Sequence, residues 1–349
     1  MRLSSDNTGP ATPEVMDAVL RANAGHIPPY GEDELTHEAI EAVRRVFEAP
    51  DASVHLVATG TAANSLALGV LAKPWQSIFC APLAHIYIDE CHAPEFYTGG
   101  ARLVLAGDGD KVTPAALEAA IAALPPGDVH ASQRGPLALT QVTERGQLYT
   151  LSELHALCDI ARAHGLPVHL DGARFSNAVA ALNCTPAQMS HELGIDAVSF
   201  GASKNGCLGV EAVVFFEPDT AWELELRRKR AGHLFSKHRY LSAQMLAYCT
   251  DDLWLKTAKR ANAKAARLIE GMRAVPDCHF TAEPQANMLF LTLPRATHQR
   301  LHSAGAAYGL FEGPLETGEP DAPLLCRLVC DWSISDADID RFVEIAAAA

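Results

Sequence analysis

A lysine and an aspartate, each placed shortly after an apolar run, have the clearest potential for chemistry in this sequence. Asp171 directly follows the run Leu166–Leu170, and Lys204 comes soon after the run Ile195–Phe200. Short apolar runs that end in polar clusters are typical of buried parallel strands that deliver side chains to a cleft. The lysine can form a Schiff base, and the aspartate can keep a pyridine nitrogen protonated. Pyridoxal phosphate (PLP) needs both groups, so we predict PLP as the cofactor.

A turn of small and hydroxyl residues, Thr59–Asn64, indicates where the phosphate would bind. It joins the strand-like run Ser53–Ala58 to an Ala- and Leu-rich helix. Backbone N–H groups and the helix dipole at such a helix start attract anions. The turn is neither GxGxxG nor GK[ST], so it suits a single phosphate better than a dinucleotide or a nucleoside triphosphate. Taken alone, the same pattern also describes an ordinary connection between a strand and a helix.

Two further side chains have surroundings that suggest a role. His85 could stack on an aromatic cofactor or move protons, and the alternative is a hydrogen-bonded structural role. Arg327 lies among apolar neighbours (LLCRLVC), where a guanidinium needs a partner. That partner is either a substrate carboxylate held in bidentate fashion or an acid of the protein itself. His85, Glu90 and His92 match no familiar ligand spacing, so we predict no metal site.

The elements that must position these residues alternate between strand and helix from residue 53 to residue 216. This alternation predicts an α/β fold with a mostly parallel sheet covered on both faces, whose ligands bind at the carboxyl ends of the strands. We expect an arm and helix over residues 1–30, a PLP-binding large domain over 31–240, and a linking helix with a small α+β domain over 241–349. Thr36 is the predicted cap of the second helix, and Leu241 to about Arg273 reads as one long helix.

Composition and charge limit the function classes. The 349 residues include 28 Lys and Arg against 42 Asp and Glu, a formal net charge of −14, which argues against a nucleic-acid or anionic-membrane partner. The nine cysteines form no CxxC pair, and we find neither a signal peptide nor a membrane-spanning run. A cytoplasmic enzyme is the expectation. The basic stretch Arg227–Arg239 is either a solvated surface or a phosphate-binding segment at a subunit interface.

Seven short motifs together resemble one enzyme family. They are the Leu3-Ser4-Ser5-Asp6 arm, Tyr30-Gly31-Glu32-Asp33, Thr59–Asn64, Ala84-His85, His169–Arg174, Ser203-Lys204 and Gln285-Ala286-Asn287. With these markers, the chain resembles the L-threonine aldolases of the bacterial low-specificity type from Leu3 to Val329. Those are fold type I PLP enzymes of the aspartate-aminotransferase superfamily.

The resemblance implies a role for each marked residue. It implies that Lys204 carries the Schiff base, that Asp171 pairs with the pyridine nitrogen and that His85 stacks on the ring. Gly60 and Thr61 would hold the phosphate. Arg174 would contribute to cofactor binding. Together with Ser5 and Arg327, it would also bind the substrate carboxylate. His130 would lie near the substrate hydroxyl. The family also forms dimers of dimers, in which a loop matching Lys229–Lys237 approaches a neighbouring cofactor, so a homotetramer is expected.

The implied reaction is retro-aldol cleavage of a β-hydroxy-α-amino acid to glycine and an aldehyde, with His85 or His130 as the base. The sequence departs from many members at Asn205–Gly209, at a longer segment over Asp89–Gly99, and at Gln141–Glu144. These departures leave threonine, allo-threonine and phenylserine open as substrates. The same scaffold also supports β-elimination and transamination. A PLP-fold protein that binds without turnover is the non-catalytic alternative, and the intact Lys204 and Asp171 argue against it.

Overall fold

A computed structural model describes residues 1–348, with the backbone alone at Thr220. Its helices are α1 Pro13–Ala22, α2 Glu34–Val46, α3 Gly60–Leu71, α4 His85–Ile88, α5 Ala93–Thr98, α6 Pro114–Ala122, α7 Leu151–Ala163, α8 Phe175–Leu182, α9 Ala221–Arg230, α10 Arg239–Cys249, α11 Leu253–Met272, α12 Arg295–Ser303 and α13 Asp336–Ala347. Its strands are β1 Ser53–Val57, β2 Gln76–Cys80, β3 Arg102–Leu105, β4 Gln133–Thr140, β5 Val168–Gly172, β6 Ala197–Gly201, β7 Glu211–Phe215, β8 His279–Phe280, β9 Met288–Pro294, β10 Gly309–Leu310 and β11 Pro323–Val329.

The large sheet has seven strands in the order β1-β7-β6-β5-β4-β2-β3. Every neighbouring pair is parallel except the two that involve β7, which runs antiparallel to both β1 and β6. Alternate residues of β7 point to opposite faces of the sheet. Ala212 and Val214 belong to the main hydrophobic core, whereas Val213 and Phe215 pack with residues of α3 and α9. Both faces of the sheet are therefore covered, as a parallel sheet requires. The α/β fold predicted from the alternation is confirmed.

A second sheet of four strands, in the order β10-β11-β9-β8, has a core of its own. Its apolar face packs against α11, α12 and α13, which are amphipathic. The amino-terminal arm is bound to this sheet, because Leu3 donates its N–H to the Ala307 carbonyl and accepts the N–H of Val329. Leu3 itself is buried in that core. The division into residues 1–30, 31–240 and 241–349 stays a prediction.

Two predicted element boundaries are wrong. The cap of α2 is Asp33, whose carboxylate accepts the Thr36 N–H, so the helix begins before the threonine that we took for the cap. The long helix expected from Leu241 to about Arg273 is two helices, α10 and α11. Asp251 and Asp252 lie between them with φ values of 51° and 54°, a left-handed conformation that interrupts helical hydrogen bonding.

Membrane insertion by a helix has no support in the fold. Within residues 1–348, no helix combines the length and the apolar composition that a bilayer crossing needs.

Candidate active site

The predicted site residues meet at one edge of the large sheet. Asp171 lies at the carboxyl end of β5, level with Thr140 of β4 and Ser199 of β6. Lys204 follows β6 within the short helical turn Ser203–Asn205. α3 begins after β1, and α4 begins at His85, beyond the end of β2. Because β1, β2, β5 and β6 all run in the same direction, Asp171, the turn with Lys204 and the starts of α3 and α4 all lie at the carboxyl ends of the strands, where parallel sheets bind ligands.

A buried hydrogen-bond network connects Asp171 to His85. The Asn64 Nδ2 atom donates to Asp171 Oδ2 (3.0 Å) and to Glu90 Oε1 (2.9 Å). The same Glu90 oxygen lies 3.0 Å from His85 Nδ1. The second Asp171 oxygen accepts the N–H of Ala173, which fixes the carboxylate on the strand end. Asn64, Glu90 and Asp171 are buried, whereas the imidazole of His85 is partly exposed towards the cleft.

Ligand atoms of His85, Glu90 and Asp171 lie within 4.8 Å of one another, a grouping that could also hold a metal ion. The chemistry of the group fits a protonated aromatic nitrogen as well. Asp171 presents negative charge from a fixed position, and an imidazole beside it can stack on a flat ring. The buried Asn64 Oδ1 and Glu90 Oε2 atoms have no hydrogen-bond partner among the described residues. Both are therefore available to accept hydrogen bonds from a ligand.

The start of α3 offers open space for a phosphate. Thr59 caps the helix through its hydroxyl, which accepts the Ala62 N–H. The N–H groups of Gly60 and Thr61 precede the first intrahelical bond, as first-turn amides do, and both residues are partly exposed. A Cβ atom added at Gly60 would meet no atom within 4 Å, so the chain itself leaves this position free. The residues present therefore fit PLP at both its ring and its phosphate.

Hydrogen bonds from β7, α10 and α11 hold the turn that carries Lys204 in place. Glu211 of β7 accepts the N–H of Ala202 (2.7 Å), and the Asn205 amide donates to the Tyr248 hydroxyl and the Trp254 carbonyl. Burial raises the pKa of Glu211 to about 7, although hydrogen bonds from the turn and the charge of Lys204 oppose the increase. Gly206 ends the turn with a φ of 109°, and a Cβ there would lie 2.7 Å from Thr12 Cγ2. Glycine is therefore needed at this position.

Arg174 forms a buried bidentate pair with Asp6 of the amino-terminal arm. Its Nε and Nη2 atoms donate to the two Asp6 oxygens at 2.7 and 2.9 Å, and Asn287 donates to Asp6 as well. Burial opposes ionisation of Asp6, but the Arg174 guanidinium outweighs it and holds the Asp6 pKa below its ordinary value. This pair fixes the Arg174 guanidinium at the cleft. A role of Arg174 towards a substrate carboxylate or the cofactor stays a prediction.

We expect Asp6→Ala to destabilise the protein by about 3–5 kcal/mol, because it leaves a buried guanidinium without its counter-charge. Urea unfolding measures the change. Asp340→Ala is the matched control, since Asp340 makes an equally bidentate pair with Arg267 on the exposed surface and should shift the unfolding midpoint little. The depressed Asp6 pKa means that the pair stabilises fully above the ordinary aspartate pKa, and that this stabilisation is lost as pH falls through the folded-state value. Equal midpoint shifts for the two variants would contradict the prediction.

Arg327 lies in the middle of β11 with donors still available. Its Nη2 atom donates to the Ser4 carbonyl (3.2 Å), its guanidinium lies over the Phe311 ring, and its buried Nε has no partner among the described residues. Burial, with the nearby Arg174 charge, lowers its pKa. The sequence left two partners open for Arg327, a substrate carboxylate and an acid of the protein itself. No acid among the described residues forms an ion pair with it. Ser5 is adjacent, although its hydroxyl accepts the N–H of Asn7.

His130 is not brought to this cleft within one chain. It is exposed in the loop before β4, at the amino end of a strand whose carboxyl end lies level with Asp171. β4 has eight residues, which at about 3.3 Å each separate its two ends by roughly 25 Å. His130 could therefore approach the substrate only from a second copy of the chain.

The basic stretch Arg227–Arg239 divides into buried and exposed parts. Arg228 is buried and donates to Glu225 and to the Leu56 carbonyl, and Arg227 pairs with Glu223. The interpretation as a purely solvated surface is therefore wrong for Arg228. Lys229 forms no ion pair with the described residues; its ammonium lies 4.5 Å from the centre of the Tyr30 ring, and the side chain is exposed at the surface.

Several residues with evident roles at the cleft were not predicted to act there. Glu90 was considered only as a metal ligand, and Asp6, Asn64 and Asn287 only as parts of motifs. Glu211 carried no signal at all, because its role depends on how β7 lies beside β6. Glu144, in a segment that departs from the family pattern, adds negative charge near His85, Arg174 and Arg327.

Comparison with known proteins gives consistent matches over the whole chain. The family model described as beta-eliminating lyase matches residues 2–294. The chain is 39% identical over 346 residues to the low-specificity L-threonine aldolase of Pseudomonas aeruginosa, covering 99% of this chain and 96% of that protein. Among solved structures, a threonine aldolase of Leishmania major superposes with a TM-score of 0.90 at 26% identity, covering 99% of this chain and 98% of that one.

A more distant match extends the likeness of the fold alone. The serine palmitoyltransferase of Sphingomonas wittichii superposes with a TM-score of 0.71 at 16% identity, over 99% of this chain and 86% of that one.

Proposed function

The chain belongs to the beta-eliminating lyase family, and from that membership we propose that the protein is an L-threonine aldolase of the low-specificity type. It is a PLP-dependent lyase that cleaves L-threonine, L-allo-threonine or a related L-β-hydroxy-α-amino acid to glycine and an aldehyde. The observation that supports this function is that Asp171, Lys204 and His85 all follow the carboxyl ends of strands of the large sheet, in a chain that matches aldolases along almost its whole length.

Each residue has a task that follows from its position. When bound, PLP supplies an electron sink for the bond that breaks at Cα. Lys204 would provide the amine that holds the cofactor covalently. Asp171, held by Ala173 and Asn64, keeps negative charge at the ring nitrogen. The first-turn amides of Gly60 and Thr61 bind the phosphate.

The selection of the bond depends on the arginines. A guanidinium that binds the substrate carboxylate would fix the orientation of the substrate at the cofactor, and so would determine which bond at Cα is cleaved. Arg327 offers the buried Nε donor for this purpose, and Arg174 lies beside it with its orientation fixed by Asp6. Ser5, next to the Ser4 carbonyl that anchors Arg327, is the third proposed contact.

The proton of the β-hydroxyl needs a base, and His85 is the proposed one. The hydrogen bond between His85 Nδ1 and Glu90 Oε1 supports this proposal, because it leaves Nε2 of the imidazole as the nitrogen that can accept a proton. The Glu90 hydrogen bond raises the His85 pKa against the opposing effect of burial, and Asp171 and Glu144 add to the increase. A contribution from His130 requires a neighbouring subunit. We propose a homotetramer in the cytoplasm, in which the exposed Lys229 and its loop approach a neighbouring site.

Product analysis tests the proposed function. The purified, PLP-loaded protein should release glycine with acetaldehyde from L-threonine and L-allo-threonine, and glycine with benzaldehyde from L-phenylserine. Mass spectrometry and an aldehyde assay measure both products, and the relative rates rank the substrates. A keto acid with ammonia, and no glycine from any of the three, would replace the aldolase with an eliminating lyase.

A further inference from the structure

Glu90 is a buried acid that the retro-aldol scheme does not yet use. Its side chain has no exposed surface, and it sits between the base and the ring-binding acid. Its Oε1 atom is shared by His85 Nδ1 at 3.0 Å and Asn64 Nδ2 at 2.9 Å, while Oε2 has no partner among residues 1–348. An ionisable group is costly to bury, so its position needs an explanation beyond packing.

We propose that Glu90 is the positioning residue of His85: it accepts the Nδ1 proton, so that Nε2 is left as the proton acceptor for the substrate hydroxyl. This inference rests on the proposed function, in which His85 is the base. A carboxylate beside one ring nitrogen fixes the tautomer and the ring orientation. It also stabilises the positive charge that the imidazole gains when Nε2 takes the proton.

The neighbours of Glu90 indicate why this acid, rather than Asp171, serves His85. The Asp171 oxygens accept from Ala173 and Asn64, and within residues 1–348 the His85 imidazole is hydrogen-bonded to Glu90 rather than to Asp171. The Asn64 amide bridges the two acids through one nitrogen, which keeps both carboxylates in place beside each other. The charged groups that act on His85 are Glu90, Asp171 and Glu144, all of them acidic, and the Glu90 hydrogen bond has the largest effect.

Glu90→Gln separates charge from shape. The glutamine carbonyl can accept from both His85 and Asn64, and its NH2 group takes the position of Oε2. The hydrogen bonds are retained and the negative charge is lost. Glu95→Gln is the matched control, because Glu95 lies 3.0 Å from His92 Nδ1 in the same segment, and His92 is exposed and away from the network.

The first readout needs no catalysis. Histidine side chains of the cofactor-free protein are labelled with 15N and titrated by NMR, with His85→Asn to assign the signal. Glu90→Gln should move the His85 titration to lower pH, and Glu95→Gln should leave it in place. Glu90→Asp keeps the charge at a longer distance and should retain part of the effect. An unchanged His85 titration in Glu90→Gln would overturn the proposal.

The second readout is kinetic. In Glu90→Gln, kcat should fall about 10-fold to 100-fold, less than the 10²–10⁴-fold that a general base contributes, while KM changes little. The acid limb of the kcat profile should move to lower pH together with the NMR titration. A lower plateau with an unmoved limb would mean a merely structural role and would also overturn the proposal. If the wild-type protein makes no glycine, the proposed function fails, but the NMR result still decides whether Glu90 controls His85.

Discussion

Lys204→Ala should abolish the release of glycine, with a loss of about 10⁴-fold or more in kcat. No other amine occupies the turn Ser203–Asn205 after β6, so nothing replaces the covalent hold on the cofactor or the exchange with the substrate amine. Stopped assays with L-threonine, over hours and at high enzyme concentration, set the lower limit of the rate.

The lysine variant has a matched control and a structural readout. Lys256→Ala removes an exposed lysine of α11 and should keep wild-type turnover. Borohydride treatment of the PLP-loaded wild-type protein, followed by peptide mass analysis, should find the cofactor on the peptide that contains Lys204. Glycine production by Lys204→Ala at more than a hundredth of the wild-type rate would refute the assignment.

Asp171→Asn should reduce kcat/KM by about 10²–10³-fold, the effect of losing one preorganised electrostatic partner. The substitution keeps the shape but removes the charge that stabilises a protonated ring nitrogen. In the wild-type protein Asn64 Nδ2 donates to Asp171 Oδ2. The substitution replaces one of the two carboxylate oxygens with an NH2 group, which cannot accept this hydrogen bond. Steady-state kinetics and the dissociation constant for PLP, measured by equilibrium dialysis, report the two consequences separately.

Asp196→Asn provides the comparison for this variant. Like Asp171, Asp196 is a strand-end aspartate that accepts a backbone N–H, here from Val168. It is partly buried and precedes β6, so it lies at the opposite edge of the sheet. It should leave kcat/KM near the wild-type value. If both aspartate variants lose activity equally, the effect comes from the sheet and not from the cleft.

The position of the site at the carboxyl ends of the strands could be predicted from the sequence, because it depends on local sequence patterns. Apolar runs followed by polar residues place Asp171 and Lys204 at the ends of β5 and β6, and the turn at Thr59 starts α3, as found. Parallel strands that share a direction then bring these ends together. No knowledge of the packing was needed for this part.

The supporting residues could not be predicted, because each acts through a partner far along the chain. Asp6 meets Arg174 across 168 positions, and Asn64 meets Asp171 across 107. The same limit explains the helix between Leu241 and Arg273, where the apolar pattern continues across Asp251 and Asp252 while the backbone does not. It also explains His130, whose sequence context does not reveal that its loop lies at the far edge of the sheet.

The path of the amino-terminal arm has a consequence for synthesis of the chain. Leu3 pairs with Val329 of β11, and the Ser4 carbonyl accepts a hydrogen bond from Arg327 across 323 positions. The arm can therefore make these contacts only after β11 has been synthesised and has left the ribosome. Until then the arm lacks the hydrogen bonds that fix Leu3 and Ser4, the residues that lead to Asp6. The contacts of the arm therefore form late in folding, because they join residues as far as 323 positions apart in the chain.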